Sequence, residues 1–435
     1  MGADTGRPAG GGRRGELDVL RALVVLGLVF FHAALVFSPD DDFYVKNPQT
    51  SGVVTVLAGF GVVWAMPMLF LVAGLGARHS LRRRGPAGFA RERLLRLGVP
   101  LVFGTLVLCP LPQWLRLRAA DSGYDEPYWR FWPRFLTVRP DLADFPFVLE
   151  GDHFETGHLW FVVLLLTFCL LLAPVARQCL AAAGHVVPAL RRHPLLLLLP
   201  ALPLAAVNAL LGMEEGFAGW NRWAYLLFLL FGFALADDEQ VRALIHRAAV
   251  PVGVLGLVLF AGTAPGFVAG DDPFTAWTSF ALVTRALFGA AGWCWVLAIL
   301  GLLDRPRNGT ARGRGGTAGG RGGTAGERGG AQGTQDRDRL LHRALRYGAL
   351  AALPWYVLHQ PAVVAVAYGV VGWSVPAAVK YAVIVASSLA VVFTVHEYGV
   401  RRTRVTRFLF GMRTAPPTRP VPAATRTEPP PPTTS

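Results

Sequence analysis

Two ionisable side chains interrupt the apolar run "LDVLRALVVLGLVFFHAALVF" (Leu17–Phe37), Arg21 near one end and His32 in its middle. An imidazole titrates near neutral pH and can move a proton between reacting groups. A guanidinium is a permanent cation suited to phosphate or carboxylate. Eleven helical steps of about 100° fall within about 20° of three full turns, so both side chains share one helix face, about 16 Å apart along the axis. Taken singly, Arg21 could snorkel to lipid phosphates and His32 could hydrogen-bond a neighbouring helix. Together, at bilayer depth, they point to a bundle interior or a water-filled cavity. A second histidine, His359 in "LPWYVLHQP", lies about 20 Å from the end of its run near Arg346. Pro354 and Pro361 beside it lack a backbone N–H and free helix carbonyls. Arg93 and Arg96, in "RERLLRLGVP", stand near Arg78, Arg82, Arg83 and Arg84. Guanidinium forks suit bidentate phosphate, so a nucleotide-bearing donor is expected to dock there, although ordinary loop charge accounts for most of the cluster. Glu397 is expected to pair with Arg21 or the Arg93/Arg96 group, or to be a simple terminal charge. Arg285, inside another run, needs a partner.

Helices must carry these groups. The 435 residues are 53% hydrophobic and only 16% charged, against about a quarter charged in soluble domains. A span needs roughly 20 apolar residues. Ten runs qualify: 17–38, 52–76, 94–114, 157–176, 194–212, 221–236, 249–268, 277–302, 346–368 and 375–400. The expected fold is therefore all-α, a polytopic membrane helix bundle of about ten helices. With the N-terminus inside, 32 of the 42 Lys and Arg fall on inner segments and 7 on outer loops, so both termini are cytoplasmic. The first run is too long for a signal-peptide core and no small-x-small cleavage site follows it. Five segments follow: a cytoplasmic N-terminus (1–16), a core of spans one to eight (17–302), a flexible Gly/Arg-rich linker (303–345), spans nine and ten (346–402), and a disordered Pro/Thr-rich tail (403–435). The net charge of +14 comes from arginine in inner loops, so no nucleic acid partner is expected; the partner is the lipid bilayer. Cys109, Cys169, Cys179 and Cys294 lack paired spacing and are expected as packing residues. Aromatic residues of the outer segment 115–156, among them Tyr128, Trp129 and Trp132, suit the membrane interface better than sugar stacking.

Several stretches together resemble the integral membrane acyltransferase-3 family. They are Arg21 and His32 in "LDVLRALVVLGLVFFH", "MPMLFLVAGLGAR" in the second span, and "RLLR" (Arg93–Arg96). "HLWFVVLLL" in the fourth span and "PWYVLHQP" in the ninth complete the set. The last, with the span count, is closest to the glucan-modifying, succinyltransferase-like branch. Ala73 stands where that family commonly has serine before Gly74. The resemblance implies a membrane O-acyltransferase that moves an acetyl- or succinyl-class group from cytoplasmic acyl-CoA to a hydroxyl of a glycan, lipid or secondary metabolite. Acyl-CoA is a co-substrate, with no bound cofactor and no metal expected. By the same resemblance His32 is the catalytic centre, with Arg21 and His359 beside it, and Arg93 and Arg96 hold the donor. His32 would act as general base or as transient acyl carrier. Asp152, His153, Glu155 and His158 in "GDHFETGHLW" are placed at an acceptor entrance, as loop polarity rather than metal ligands. The implied location is a bacterial plasma membrane. The alternative is a multi-span small-molecule transporter using His32 and Arg21 as a buried polar or proton relay site; no internal repeat supports it.

Overall fold

The computed structural model describes residues 11–39, 42–235, 238–270, 272–303 and 326–412. Each of the ten apolar runs is helical. In chain order the helices are α1 (Gly11–Leu35), α2 (Gly52–Arg93), α3 (Val99–Phe103), α4 (Pro110–Ala120), α5 (Tyr128–Phe135), α6 (Trp160–Leu172), α7 (Ala176–Arg192) and α8 (Ala201–Leu211). They continue as α9 (Arg222–Ala234), α10 (Glu239–Ala261), α11 (Ala264–Ala269), α12 (Ser279–Leu303), α13 (Gly326–Val370), α14 (Ala377–Thr394) and α15 (Arg404–Leu409). Among the described residues the only strands are a two-residue pair, Arg139–Pro140 with Leu149–Glu150. By length and apolarity six helical stretches can cross a membrane, or seven if the α6–α7 unit, bent by 92°, is one broken span. Two expected spans are carried by one of these stretches, Gly52–Ala120, while Val19–Leu35 in α1 and α9 itself are shorter. The fold is thus a polytopic membrane helix bundle.

Within Gly52–Ala120 the chain turns back. The Ser80 hydroxyl donates to Glu92 at 2.8 Å, whereas twelve residues of straight helix would put them about 18 Å apart. The turn is at Gly85, whose φ of 70° suits glycine, followed by Pro86, whose fixed φ restarts the helix. Arg82, Arg83 and Arg84 precede this turn.

The bundle has two halves joined through α2. On one side α13 packs along α1, α4 and α14; on the other α12 packs along α8 and α10. Helix α2 touches α1, α6, α9 and α12. Lipid offers no hydrophobic drive for association, so close fit must hold these helices. Gly74 and Gly232 supply it between α2 and α9. A Cβ at Gly74 would run into the Leu229 carbonyl, and one at Gly232 into the Leu71 carbonyl. Phe70 then meets Phe161 edge-on (4.7 Å) and stacks with Tyr225 (4.6 Å), uniting α2, α6 and α9. Such aromatic pairs contribute about 0.5–1.5 kcal/mol beyond their burial.

Buried charges inside the bundle close on backbone carbonyls and, for Lys380, on an amide side chain as well. Arg285 on α12 donates to the carbonyls of Ala209 (3.0 Å) and Ala276 (2.9 Å), which answers its need for a partner. Lys380 on α14 reaches Asn47 (2.9 Å) and the Val371 carbonyl (2.7 Å). In the outer segment α5 turns Phe131 and Phe135 inward and leaves Trp129 72% exposed. Trp132 donates its indole N–H to the Leu106 carbonyl at 2.8 Å, which holds α5 against the third span. Of the expected linker, 304–325 lie outside the described residues, and from Gly326 the chain is already helix α13. The tail residues 413–435 also lie outside them; before that point α15 folds back and buries Phe410.

Candidate active site

His32 projects from α1 toward α13, and its ring centroid lies 5.0 Å from that of His359. Two histidines 327 positions apart in sequence therefore meet because α1 and α13 pack together. A third, His158, stands 5.0 Å beyond His359, nearly perpendicular at 84°. It belongs to the short 3-10 turn Gly157–Leu159 that opens α6. Phe43, from the segment after α1, stacks on His32 at 5.7 Å and closes that side.

Helix α13 holds this row together through its prolines. Pro361 has no N–H to give to the carbonyl four residues back, that of Val357. His158 fills the vacancy: its Nε2 lies 3.1 Å from the Val357 oxygen. A carbonyl only accepts, so His158 Nε2 carries the proton. The Tyr356 hydroxyl in turn donates to the His158 carbonyl. His359 donates from Nδ1 to the Tyr356 carbonyl at 2.5 Å, which leaves its Nε2 with a lone pair. That Nε2, and Nδ1 of His32, are buried with no hydrogen-bond partner among the described residues. Buried polar atoms are ordinarily satisfied, so open nitrogens on two rings 5.0 Å apart mark a place prepared for something else to bond.

Outside the helices Tyr44 donates to Glu155, three residues before His158. Burial pushes the Glu155 carboxyl above its ordinary 4.5, against the opposing pull of Tyr44 and Arg116. Burial, followed by the nearby Glu155 charge, raises the Tyr44 phenol well above 10.0, so it stays protonated as the donor.

A groove of about 320 Å³ opens on this row. Its walls include Leu20, Val24, Gly27 and Phe31 of α1 and Gly61, Trp64 and Met66 of α2, and it reaches His32, His158 and Tyr356. A family model described as an acyltransferase domain matches residues 14–397. The chain belongs to the acyltransferase-3 family. No curated protein and no solved structure matches it.

In this membrane acyltransferase the arginines stand apart from the histidine row. Arg21 donates to the Val72 carbonyl at 3.0 Å, and a Cβ at Gly76 would lie 3.4 Å from its guanidinium. Arg93 lies over Phe89 at 5.0 Å. Arg96 and Arg84 flank Glu92 at 3.9 and 3.4 Å. Arg96 falls in a π-helical turn, Leu94–Gly98. Glu397 pairs with Arg401 at 2.6 Å and accepts from Tyr347 at 3.1 Å, rather than joining Arg21 or the Arg93/Arg96 group. In "GDHFETGHLW", Glu155 and His158 turn inward, while His153 meets Arg134 at 3.0 Å on the surface. Sequence reasoning placed His158 at an entrance and gave no role to Tyr356, Tyr44 or Phe43. One signal was available: His158 directly precedes the Leu-Trp-Phe element that opens the fourth span.

Proposed function

We propose that this acyltransferase moves an acetyl- or succinyl-class group from cytoplasmic acyl-CoA to a hydroxyl of a glycan, lipid or secondary metabolite, with His32 as general base. The observation that carries the reading is the His32–His359 pair, 5.0 Å apart, with an unsatisfied nitrogen on each ring and His32 at the end of a groove. A neutral imidazole takes the proton of the acceptor hydroxyl as its oxygen attacks the thioester carbonyl. The new C–O bond forms, the C–S bond breaks, and the imidazolium returns the proton to the departing thiolate. His359, fixed through Tyr356, supplies a lone pair toward that proton. Arg21 stands about 16 Å from His32 along α1, suited to an anionic part of the donor. Arg93 and Arg96, with Arg84 and Glu92 around them, suit its phosphates.

The test compares cells lacking the protein, cells with wild type and cells with His32→Ala at matched membrane levels. Exported glycans, lipids and secreted metabolites are profiled by mass spectrometry for ester-linked acyl groups. Wild type is expected to restore one acylated product, and His32→Ala to lower its formation by at least about 100-fold. Full restoration by His32→Ala removes the catalytic role given to His32.

A further inference from the structure

Helix α1 lines the groove with Leu20, Val24, Gly27, Leu28 and Phe31 and ends it at His32, and Arg21 is not among the lining residues. The Arg21 guanidinium turns instead to the Val72 carbonyl of α2. A charged donor held by Arg21 therefore lies outside the groove and leaves it to another occupant.

The groove is kept open by two glycines. A Cβ at Gly27 would meet nothing within 4 Å, and one at Gly61 opposite would touch only Phe31, at 4.0 Å. Glycine inside a helix costs about 1 kcal/mol relative to alanine, so absent methyl groups here represent a stability sacrifice. Leu23, 53% exposed, and Leu303, 44% exposed, form the rim on the outer surface of the bundle. In a bilayer that surface is bathed by hydrocarbon. From Leu20 to His32 the groove follows α1 for about 18 Å.

We propose that this groove binds the hydrocarbon chain of a membrane-borne hydroxyl acceptor, which enters sideways from the bilayer and presents its hydroxyl to His32. The role given to His32 here rests on the acyltransfer reading; the binding of the chain does not. Apart from the indole of Trp64, the walls between Leu20 and Phe31 offer a polar acceptor few hydrogen bonds, whereas a chain buries its methylenes against leucine, valine and phenylalanine.

The experiment uses the full chain in phosphatidylcholine vesicles, with a hexadecanol bearing a mid-chain diazirine as photoprobe. Labelled peptides are mapped by mass spectrometry. Labelling is expected to concentrate on Leu20–Phe31 and Gly61–Met66, to be displaced by hexadecanol but not butanol, and to fall about tenfold in Gly27→Phe. Gly61→Leu, from the opposite wall, should reproduce the loss, and both variants should elute and melt as wild type. Label spread evenly over lipid-facing helices, as at Val254–Val258 of α10, overturns the proposal. So does undiminished labelling in both folded variants, or displacement by palmitoyl-CoA but not hexadecanol, which would give the groove to the donor's acyl chain. Labelling of the groove in a wild type that transfers no acyl group sinks the acyltransfer reading and leaves the groove standing. Transfer to a soluble acceptor without labelling does the reverse.

Discussion

Glu155 is a buried carboxyl held by Tyr44 three residues before His158, and its burial sets a pH signature. Because its folded pKa is raised above 4.5, the folded state binds this proton more tightly than the unfolded chain. Its contribution is therefore full at acid pH and is lost as pH rises from about 4.5 through the raised value. Glu155→Gln removes the titration and keeps a side chain that can accept from Tyr44. The variant should match wild type at acid pH and gain on it through that interval, levelling off above. Thermal unfolding across the pH range reads this directly, and a constant difference at every pH would contradict it. At this scale the sequence was partly legible. Arg21, His32 and His359 stand out because each is an ionisable residue in an apolar run. His158, at the edge of the run 157–176, stands out less, and its partner is a carbonyl 199 positions away that only the folded chain brings near.

The elements that place the row were legible wherever their chemistry is local. Apolar length marked ten runs, each of them helical, of which six or seven stretches are long and apolar enough to cross a membrane, and Pro361 points to a freed carbonyl in α13. What could not be read was which helices would touch. The α2–α9 contact depends on Gly74 meeting Leu229 and Gly232 meeting Leu71, a fit between distant segments with no pattern of its own. Apolarity does separate the two spans inside Gly52–Ala120, 52–76 and 94–114, and the turn at Gly85 falls in the charged gap between them. Pro361→Ala tests how far α13 governs the site. The alanine N–H would reclaim the Val357 carbonyl and compete with His158 for it. Helix stability should hold or rise, while acyl transfer falls between about tenfold and 100-fold as the row loses its spacing. Unchanged transfer in the folded variant would show that His158 needs no anchor on α13.

Over the whole molecule the distribution of arginine gives the direction of insertion, with the Gly85 turn inside and the α5 segment outside. Single cysteines test it in a Cys179→Ser background, the other three native thiols being buried. A membrane-impermeant maleimide should label Asp152→Cys in intact cells and Arg83→Cys only after the membrane is opened. The opposite pattern would invert the bundle and place the Gly85 turn and its arginines on the outer face. Ten apolar runs and a charge imbalance made this architecture readable from the chain alone. The joining of its two halves through α2 was not, since every apolar helix face looks alike to a hydropathy scale. The tie between His158 and α13 has one more consequence. A missing proton on a proline, rather than any reacting atom, sets how far the fourth segment stands from the ninth. Shifting the bend of that single helix would therefore change the gap between the histidines and leave the side chains themselves untouched.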